Sequence, residues 1–361
     1  MLLKNKILKN INIWLSLFLV FQSCNSEVKN KSPRIKSNIK IDSPFSFEIF
    51  NDDDTVEVRI SKTINNNKKI EKSLLINGND TLSFTDKIDL YTNQNFFYGN
   101  NTLRVFVYYA DESIEKYSRQ ITIYPKQKPS ELGYEIIKIL PHDSQIYTQG
   151  LILDQNHFYE SSGQYGKSFL RKYTSDEFEI SKEIKIASNL FAEGITILED
   201  KLFMLTWKSN KGLVFDKNTL ALLDTFEYNT EGWGLTNNER ELIMSDGSEK
   251  IKFVDPSNFK INKEIQVYDN SGKVESLNEL EYINGKIFSN IYGQDKIAVI
   301  NPLSGLVENY INLEKIMNKK NYKNIDVMNG IAFNEKSNTL YITGKWWPSL
   351  YEIKLIKYEI R

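Results

Sequence analysis

The stretch Ala192-Glu193-Gly194-Ile195-Thr196, followed by Leu202-Phe203-Met204-Leu205-Thr206-Trp207, contains the pattern that decides the fold. The pattern occurs in five copies. Each copy opens with a polar or aromatic residue, which in most copies is followed by Gly and then by a short apolar run. The other four copies are Gln149-Gly150-Leu151-Ile152, Trp233-Gly234-Leu235-Thr236, Asn278-Glu279-Leu280-Glu281 and Asn329-Gly330-Ile331-Ala332. Successive copies lie 40 to 51 residues apart, so the second half of the chain is an internal repeat.

The repeat length indicates the architecture, because a four-stranded propeller blade needs roughly 40 to 50 residues. The sequence therefore predicts an all-β fold with a five-bladed β-propeller over residues 133–361. The last repeat has room for only three strands, so we expect Tyr134 to Leu140 to supply the fourth and close the ring. Before the fifth copy, Leu313, Ile316 and Met317 recur at helical intervals and predict a short helix.

The region before the repeats, residues 38–125, has a different pattern. Apolar and polar residues alternate in short runs with turn-forming clusters between them, which is typical of antiparallel strands with one buried face. We predict a small immunoglobulin-like β-sandwich that precedes the propeller. The runs are Phe45 to Ile49, Val56 to Ile60, Leu103 to Val107 and Arg119 to Ile123.

The N-terminus carries the features of an export signal. Lysines precede a short apolar run, and Cys24 follows it, so residues 1–23 are predicted to be a signal peptide. The polar residues 24–37 read as a flexible tether. The position of Cys24 resembles the lipid-modified cysteine of bacterial lipoproteins, which predicts an exported protein held in the cell envelope, in the periplasm or on the outer surface, only by an N-terminal lipid. The alternative is a plain secretory peptide with an incidental cysteine.

The composition excludes several classes of function. The chain has 361 residues with 46 Lys plus Arg against 47 Asp plus Glu, so it lacks the basic excess of a non-specific nucleic-acid binder. Two His and one Cys cannot build a His-rich zinc centre or a disulfide framework. Any catalysis must therefore depend on carboxylates, amides, lysine or aromatic groups. We expect a monomer that binds no nucleic acid.

The phase of the repeat places particular side chains together. Equivalent strand ends of all blades meet around a propeller axis, so the residues before the first strands and after the second strands are predicted to share one channel mouth. Those before the first strands are Gln149, Glu193, Trp233, Asn278 and Asn329, and those after the second strands include Trp207, Tyr292 and Lys345. One carboxylate, one ammonium, several amides and three large aromatic rings would then surround one opening.

Six runs in this region resemble the plant and bacterial type of glutaminyl-peptide cyclotransferase, in that family's order. They are Tyr147-Thr148-Gln149-Gly150-Leu151, Tyr159-Glu160-Ser161-Ser162-Gly163, Ala192-Glu193-Gly194-Ile195-Thr196, Gly232-Trp233-Gly234-Leu235, Leu277-Asn278-Glu279-Leu280-Glu281-Tyr282 and Thr343-Gly344-Lys345-Trp346-Trp347-Pro348. The resemblance implies a five-bladed propeller that converts the N-terminal glutamine of peptides or proteins to pyroglutamate with release of ammonia. It implies no required cofactor and no catalytic metal; a structural calcium ion is conceivable in such folds, but the sequence identifies no ligands for one.

The resemblance also implies roles for individual residues. Glu193 matches the family's catalytic glutamate and is expected to shuttle the proton, while Lys345 stabilises the developing oxyanion or orients the amide. The side-chain amides of Gln149 and Asn278 are expected to hold the substrate's amine and carbonyl by hydrogen bonds. The indoles of Trp207 and Trp233 are expected to enclose the glutamine side chain. Tyr292 stands where the family usually has Trp, which predicts an altered pocket width.

Two other functions are compatible with the residues alone. One is a non-catalytic propeller that binds a peptide or glycan at its channel mouth. The other is a propeller glycosidase in which Glu193 forms a carboxylate pair with Glu279 or Glu281. Each residue also has a purely structural interpretation: Glu193 as a solvated turn carboxylate, the tryptophans as core packing and Lys345 as a surface charge.

Overall fold

The computed structural model describes residues 37–63, 68–78 and 80–357. The predicted signal peptide, Cys24 and the tether up to residue 36 lie outside the described residues. Strands dominate the described part, which contains one four-residue helix and one 3-10 turn as its helical elements. No helix found there has both the length and the apolar character needed to cross a bilayer.

The first part of the described chain contains eight strands in two sheets. The elements are β1 (Ile39–Ser43), β2 (Glu48–Asn51), β3 (Thr55–Lys62), β4 (Ile70–Asn77), β5 (Asp80–Phe84), β6 (Lys87–Tyr91), α1 (Thr92–Asn95), β7 (Gly99–Tyr109) and β8 (Ile114–Tyr124). One sheet has the order β1-β3-β6 and the other β2-β8-β7-β4-β5. Every pair is antiparallel except β2 with β8, which is parallel.

Both sheets contribute to one apolar core, as alternating strands with one buried face require. Val56 and Val58 of β3 pack in the same cluster as Val105 and Val107 of β7, so the two sheets face each other. The predicted strand from Phe45 begins only at Glu48. The two phenylalanines of that run are 73% exposed, and Phe47 has a φ of 66°, which extended strand does not allow.

The repeat region contains the remaining twenty-two strands of the described chain. They are β9 (Ser130–Pro141), β10 (Thr148–Asp154), β11 (His157–Ser162), β12 (Phe169–Thr174), β13 (Ile180–Lys185), β14 (Ala192–Leu198), β15 (Lys201–Thr206), β16 (Lys211–Asp216), β17 (Leu222–Glu227), β18 (Leu235–Asn237), β19 (Leu242–Ser245), β20 (Lys250–Val254), β21 (Ile261–Gln266), β22 (Tyr268–Asp269), β23 (Gly272–Lys273), β24 (Leu277–Ile283), β25 (Lys286–Ile291), β26 (Lys296–Ile300), β27 (Val307–Asn312), β28 (Met328–Asn334), β29 (Thr339–Gly344) and β30 (Ser349–Lys357).

Twenty of these strands form five antiparallel units of four, and β22 and β23 form a separate two-stranded hairpin. Units one to three are separate sheets, β10-β11-β12-β13, β14-β15-β16-β17 and β18-β19-β20-β21. Unit four, β24-β25-β26-β27, and unit five, β28-β29-β30-β9, are joined in one eight-stranded sheet because β9 also pairs with β27. The first strand of each unit contacts the first strand of the next, and β28 contacts β10, so these contacts form a closed cycle.

Strand β9 confirms the prediction that the segment upstream of the first repeat completes the last one. Leu140 pairs with Leu350 and Tyr134 with Leu355, both in an antiparallel register. The beginning of the same strand pairs in parallel with β27 through Glu131. A single strand therefore joins units four and five and leaves neither with a free edge there.

The apolar runs inside each unit are explained by burial on both faces. In β15, Leu202 to Leu205 are four consecutive residues with almost no exposure, because neighbouring units cover both sides of the sheet. Packing between units is visible at the junction of units one and five, where Phe158 and Tyr341 meet edge to face with ring centroids 5.1 Å apart.

The predicted helix between units four and five is wrong. Leu313, Ile316 and Met317 are buried in the core cluster under unit five, but the segment that carries them is a series of turns. Its only helical element in the described structure is the 3-10 turn Lys319–Asn321. The apolar spacing that suggested a helix therefore comes from a loop that folds back onto the core.

Candidate functional site

A single cavity of about 280 Å³ is lined by all seven residues that the sequence predicted for the site. The cavity also has three residues to which the sequence analysis assigned no role. The lining residues are Tyr147, Gln149, Gln164, Phe191, Glu193, Trp207, Trp233, Asn278, Tyr292 and Lys345. The structure thus gathers the predicted side chains, while their roles remain predictions.

Strand topology explains this gathering. The start of a first strand and the end of a second strand lie at the same edge of an antiparallel hairpin. Glu193 and Asn278 lie near the starts of β14 and β24, whereas Trp207, Tyr292 and Lys345 follow the ends of β15, β25 and β29. The closed cycle of first strands then brings these edges from different units to one opening.

Irregular pairing directs the side chains at the strand starts into the cavity. The register shifts across Gln149 in β10, across Glu193 in β14 and across Asn278 in β24. A fourth shift, in β28, spans Asn329. Bulges of this kind leave a residue unpaired in the ladder and re-aim its side chain, which allows functional groups at positions that regular pairing would turn elsewhere.

Glycine after the bulge residue lets neighbouring units approach closely. A Cβ atom on Gly150 would lie 2.7 Å from the Ile195 nitrogen, and one on Gly194 would lie 2.5 Å from the Leu235 nitrogen. Real Cβ atoms do not tolerate such contacts with backbone, so a side chain at either position would push two first strands apart.

Glu193 and Lys345 form a buried charge pair that does not touch. Glu193 is 6% exposed and Lys345 is 4% exposed. Among the described residues no ion pair within 4 Å and no side-chain hydrogen bond involves either group. Burial raises the pKa of Glu193 well above its usual range, with the Lys345 ammonium opposing the shift and Glu231 adding to it. Burial likewise lowers the pKa of Lys345, opposed by Glu193 and Asp326.

Two side-chain amides in the cavity have unsatisfied acceptors. Gln149 and Asn278 are 1% and 2% exposed, and the oxygen of each amide has no hydrogen-bond partner within the part of the chain that the structure describes. A buried acceptor without a partner costs roughly 1–3 kcal/mol, so such groups are expected where a ligand supplies the donor. Asn329, the equivalent residue of unit five, does not line the cavity: its Nδ2 donates to the Thr148 and Gln149 carbonyls, and its Oδ1 likewise has no partner among the described residues.

Glu231 holds the two indoles of the cavity wall. Its Oε2 accepts hydrogen bonds from Trp207 Nε1 at 2.7 Å and from Trp233 Nε1 at 3.0 Å. The sequence analysis missed this residue, which precedes the Gly232-Trp233 motif. The sequence does contain a hint of this role: Glu231 lies two residues before Trp233, and the N–H group of a buried indole needs a hydrogen-bond acceptor. Lys208 adds its ammonium 4.0 Å above the Trp207 ring.

Tyr147 and Phe191, to which no role was assigned, add two further aromatic rings to the cavity wall. Phe191 meets Trp207 edge to face at 5.5 Å, so the aromatic wall is continuous. The Tyr147 hydroxyl donates to Asp326 Oδ2 at 3.0 Å, which fixes the ring beside Lys345. Lys345 Nζ lies 4.8 Å from the Tyr147 ring centroid, an arrangement that stabilises a buried ammonium.

Tyr292 differs from the other wall residues in its exposure of 41%. Its ring meets Trp233 edge to face at 5.7 Å and lies 5.3 Å from Lys345 Nζ. It therefore stands at the rim of the cavity, where its phenol borders both the indole wall and the ammonium.

Glu279 and Glu281 do not line the cavity. Glu279 accepts hydrogen bonds from the backbone nitrogens of Ile331 at 2.9 Å and Leu151 at 3.4 Å. Glu281 accepts one from Phe333 at 3.1 Å, and burial raises its pKa to about 8. Both carboxyl groups thus tie unit four to its neighbours, which argues against either as the partner of Glu193 in a glycosidase.

No cluster of three or more His, Cys, Asp or Glu with the arrangement of a metal site occurs among residues 37–63, 68–78 and 80–357. The structure therefore offers no candidate ligand set within that part of the chain for the calcium ion considered from the sequence.

Comparison with known proteins gives consistent results. A family model described as glutamine cyclotransferase matches residues 107–355. Glutaminyl-peptide cyclotransferase from Arabidopsis thaliana is 37% identical over 226 residues, which are 61% of this chain and 71% of the plant protein. The crystal structure of glutaminyl cyclase from Myxococcus xanthus is 32% identical with a TM-score of 0.59, and covers 63% of this chain and 98% of that one. The family match includes every residue of the cavity.

Proposed function

The chain belongs to the glutamine cyclotransferase family, and from this premise we propose that it converts the N-terminal glutamine of peptides or proteins to pyroglutamate with release of ammonia. The observation that carries the proposal is the separated pair of Glu193 and Lys345 in one aromatic cavity. A buried carboxyl and a buried ammonium that do not bond to each other leave space for a reacting amide between them.

The reaction forms one bond and breaks another. The neutral α-amine of the substrate attacks the carbon of the γ-carboxamide, and the carbon–nitrogen bond to the leaving amide nitrogen then breaks. One proton must leave the attacking nitrogen and one must reach the departing nitrogen, which leaves as ammonia. We assign this transfer to Glu193, whose pKa is raised by burial above the usual carboxyl range, which favours holding the proton between the two transfers.

Lys345 is assigned to the carbonyl oxygen of the γ-carboxamide, where negative charge develops when the amine attacks. An ammonium stabilises this charge most strongly in a site that excludes water, and Lys345 is 4% exposed. Its lowered pKa sets a limit on the role, because the group stabilises an oxyanion only while it is protonated.

The unsatisfied oxygens of Gln149 and Asn278 are assigned to the N–H groups of the substrate. A glutamine bound between them would satisfy both acceptors, whereas a residue without those N–H groups would leave them buried and unpaired. Trp207 and Trp233 would pack against the methylene groups of the glutamine side chain. This combination favours the five-membered ring geometry by holding the amine and amide close together.

We also propose the finer description of the fold. The five units would be the blades of a five-bladed β-propeller over residues 133–361, supported by the closed cycle of first strands. Residues 38–125 would be an immunoglobulin-like sandwich, supported by two sheets that share one core. We further propose a monomer without a required cofactor, exported through the signal peptide 1–23 and held in the cell envelope by a lipid on Cys24. Replacement of Cys24 by Ala would then release the protein from the membrane fraction.

The test is the incubation of the purified protein with a dipeptide that begins with Gln and with a matched dipeptide that begins with Asn. We expect stoichiometric ammonia and a product lighter by one ammonia for the Gln dipeptide alone. Tight binding of Gln peptides without turnover would support the alternative of a non-catalytic binding protein. Equal release from both dipeptides would contradict ring closure, because the Asn side chain is one methylene too short for a five-membered ring.

A further inference from the structure

A second, larger depression adjoins the cavity and has no assigned role. It has a volume of about 900 Å³, more than three times that of the cavity, and polar and charged residues supply most of its lining. Gln164 lines both spaces, so the groove and the cavity adjoin at this residue. We will call this depression the outer groove.

Gly163 lies at the boundary between the two spaces. A Cβ atom there would lie 2.7 Å from Phe191 Cζ and 2.8 Å from Gln149 Nε2, which are both cavity groups, while Gly163 itself lines the outer groove. A larger residue at position 163 would therefore displace the side chain of Phe191 or Gln149. The boundary between the groove and the cavity is therefore free of a side chain at this position.

Trp346 forms part of the groove wall in an unusual conformation. Its φ is 60°, a left-handed value that a bulky residue rarely adopts without compensation, and its backbone nitrogen donates to the Ile146 oxygen at 2.8 Å. The indole packs against Tyr147 with ring centroids 4.6 Å apart. Tyr147 lines the cavity and Trp346 lines the groove, so this ring contact lies at the boundary between the two spaces.

The charges of the groove are unevenly satisfied. Its carboxylates have partners: Asp143 and Glu183 pair with Arg171 at 2.9 Å and 2.8 Å, and Asp326 accepts from Tyr147. Lys167 and Lys323 also line the groove and are exposed, and within the described residues neither has an ion-pair partner. The three carboxylates and three cations of the lining balance in formal charge, and the two lysines are the exposed cations that can pair with an acidic group of a ligand.

We propose that the outer groove binds the polypeptide that follows the cyclised glutamine, with Trp346 as the platform for the next side chain and with Lys167 and Lys323 favouring acidic residues beyond it. This inference rests on the proposed function, because the glutamine must occupy the cavity for its carbonyl side to enter the groove. The preferred substrate is then an extended N-terminal segment with an apolar or aromatic second residue, rather than free glutamine or its amide.

The test compares glutamine amide with two seven-residue peptides, both with Phe second, one with Glu and one with Lys at later positions. We expect kcat/KM for the Glu peptide to exceed that for glutamine amide by about tenfold or more. In Trp346→Gly the ratio of kcat/KM for the Glu peptide to that for glutamine amide should fall to about one to two, even if glutamine amide turnover itself changes through the contact with Tyr147. Because Gly accepts the left-handed backbone, this variant should fold. Trp346→Phe should retain the advantage.

The lysines are tested separately. The Glu peptide should be preferred over the Lys peptide by about two- to fivefold at low salt, and the preference should vanish at about 0.5 M salt and in the double variant Lys167→Ala, Lys323→Ala. Equal kcat/KM for glutamine amide and both peptides in the parent protein would overturn the groove assignment, as would a parallel loss on all substrates in Trp346→Gly. Absence of ammonia from every substrate would instead overturn the proposed function on which the assignment rests.

Discussion

Replacement of Glu193 by Gln tests the proposed chemistry most directly, because it keeps the size of the side chain and removes its ability to exchange a proton. General acid–base assistance of this kind contributes about 10²- to 10⁴-fold. We therefore expect kcat to fall by that factor, which corresponds to about 3–5 kcal/mol in the activation free energy. The indole wall and the two amides remain, so KM should change by less than about threefold.

The same substitution should not destabilise the protein. Burial raises the pKa of Glu193 above its unfolded value, so the native state binds more protons than the unfolded state between the two pKa values. The stability contributed by this group is therefore greatest at low pH and falls as the pH rises through that window. At pH 8, where the cost of the buried charge is largest, Glu193→Gln should melt at the same temperature as the parent or higher.

The assay follows ammonia release from a Gln dipeptide, with mass spectrometry of the product, and thermal melting of each variant at pH 5 and pH 8. Glu199→Gln is the matched control, because Glu199 is exposed in the turn after the same strand. Unchanged turnover by Glu193→Gln would refute the proton-transfer role. A large loss of turnover that came with a lower melting temperature would point to damaged folding and would refute the interpretation of the burial.

Three further predictions concern the surroundings of the cavity. Because the pKa of Lys345 lies below its ordinary value of 10.5, kcat/KM should decline at alkaline pH before that value is reached, and Lys345→Met should lower kcat by about 10²-fold or more at every pH. Glu231→Gln should raise KM by about two- to tenfold, because a neutral amide makes weaker hydrogen bonds to the two indoles. The same substitution should move the acid limb of the pH profile to lower pH, since the Glu231 charge helps to raise the pKa of Glu193. Burial alone would lower the pKa of His142, but the charge and hydrogen bond of Glu160 raise it overall. The contribution of this pair to the free energy of unfolding is therefore complete below about pH 6.5 and is lost as the pH rises through the raised pKa of His142. Melting temperatures measured from pH 5 to pH 9 should show this loss in the parent, whereas a flat difference between the parent and His142→Gln would contradict it.

The repeat made much of the architecture predictable. The spacing of the motif at residues 150, 194 and 234 predicted units of several strands, and the short final repeat predicted that Tyr134 to Leu140 pairs with the end of the chain. The helix predicted around Leu313 failed because a loop that returns to the core buries residues at irregular intervals that coincide with the helical period.

The site was predictable where the phase of the repeat determines position and unpredictable where residues lie in the connections between strands. Glu193 and Lys345 were found because both stand at equivalent strand ends. Glu231 and Phe191 were not, because they lie in connections between strands, whose path the repeat does not determine. The bulges were also hidden, since a register shift is a property of two paired strands and no single strand carries its signature.

Strand β9 has a consequence for how the protein acquires its structure. It pairs with β30, whose residues are about two hundred positions away along the chain, so the last unit cannot form until nearly the whole polypeptide is available. Closing a loop of that length carries an entropic cost of roughly 5 kcal/mol, and contacts so distant in sequence slow folding. We therefore expect a nascent chain truncated before β30 to expose the edges of β9 and β29, making it a substrate for chaperones and proteases rather than a partly active enzyme.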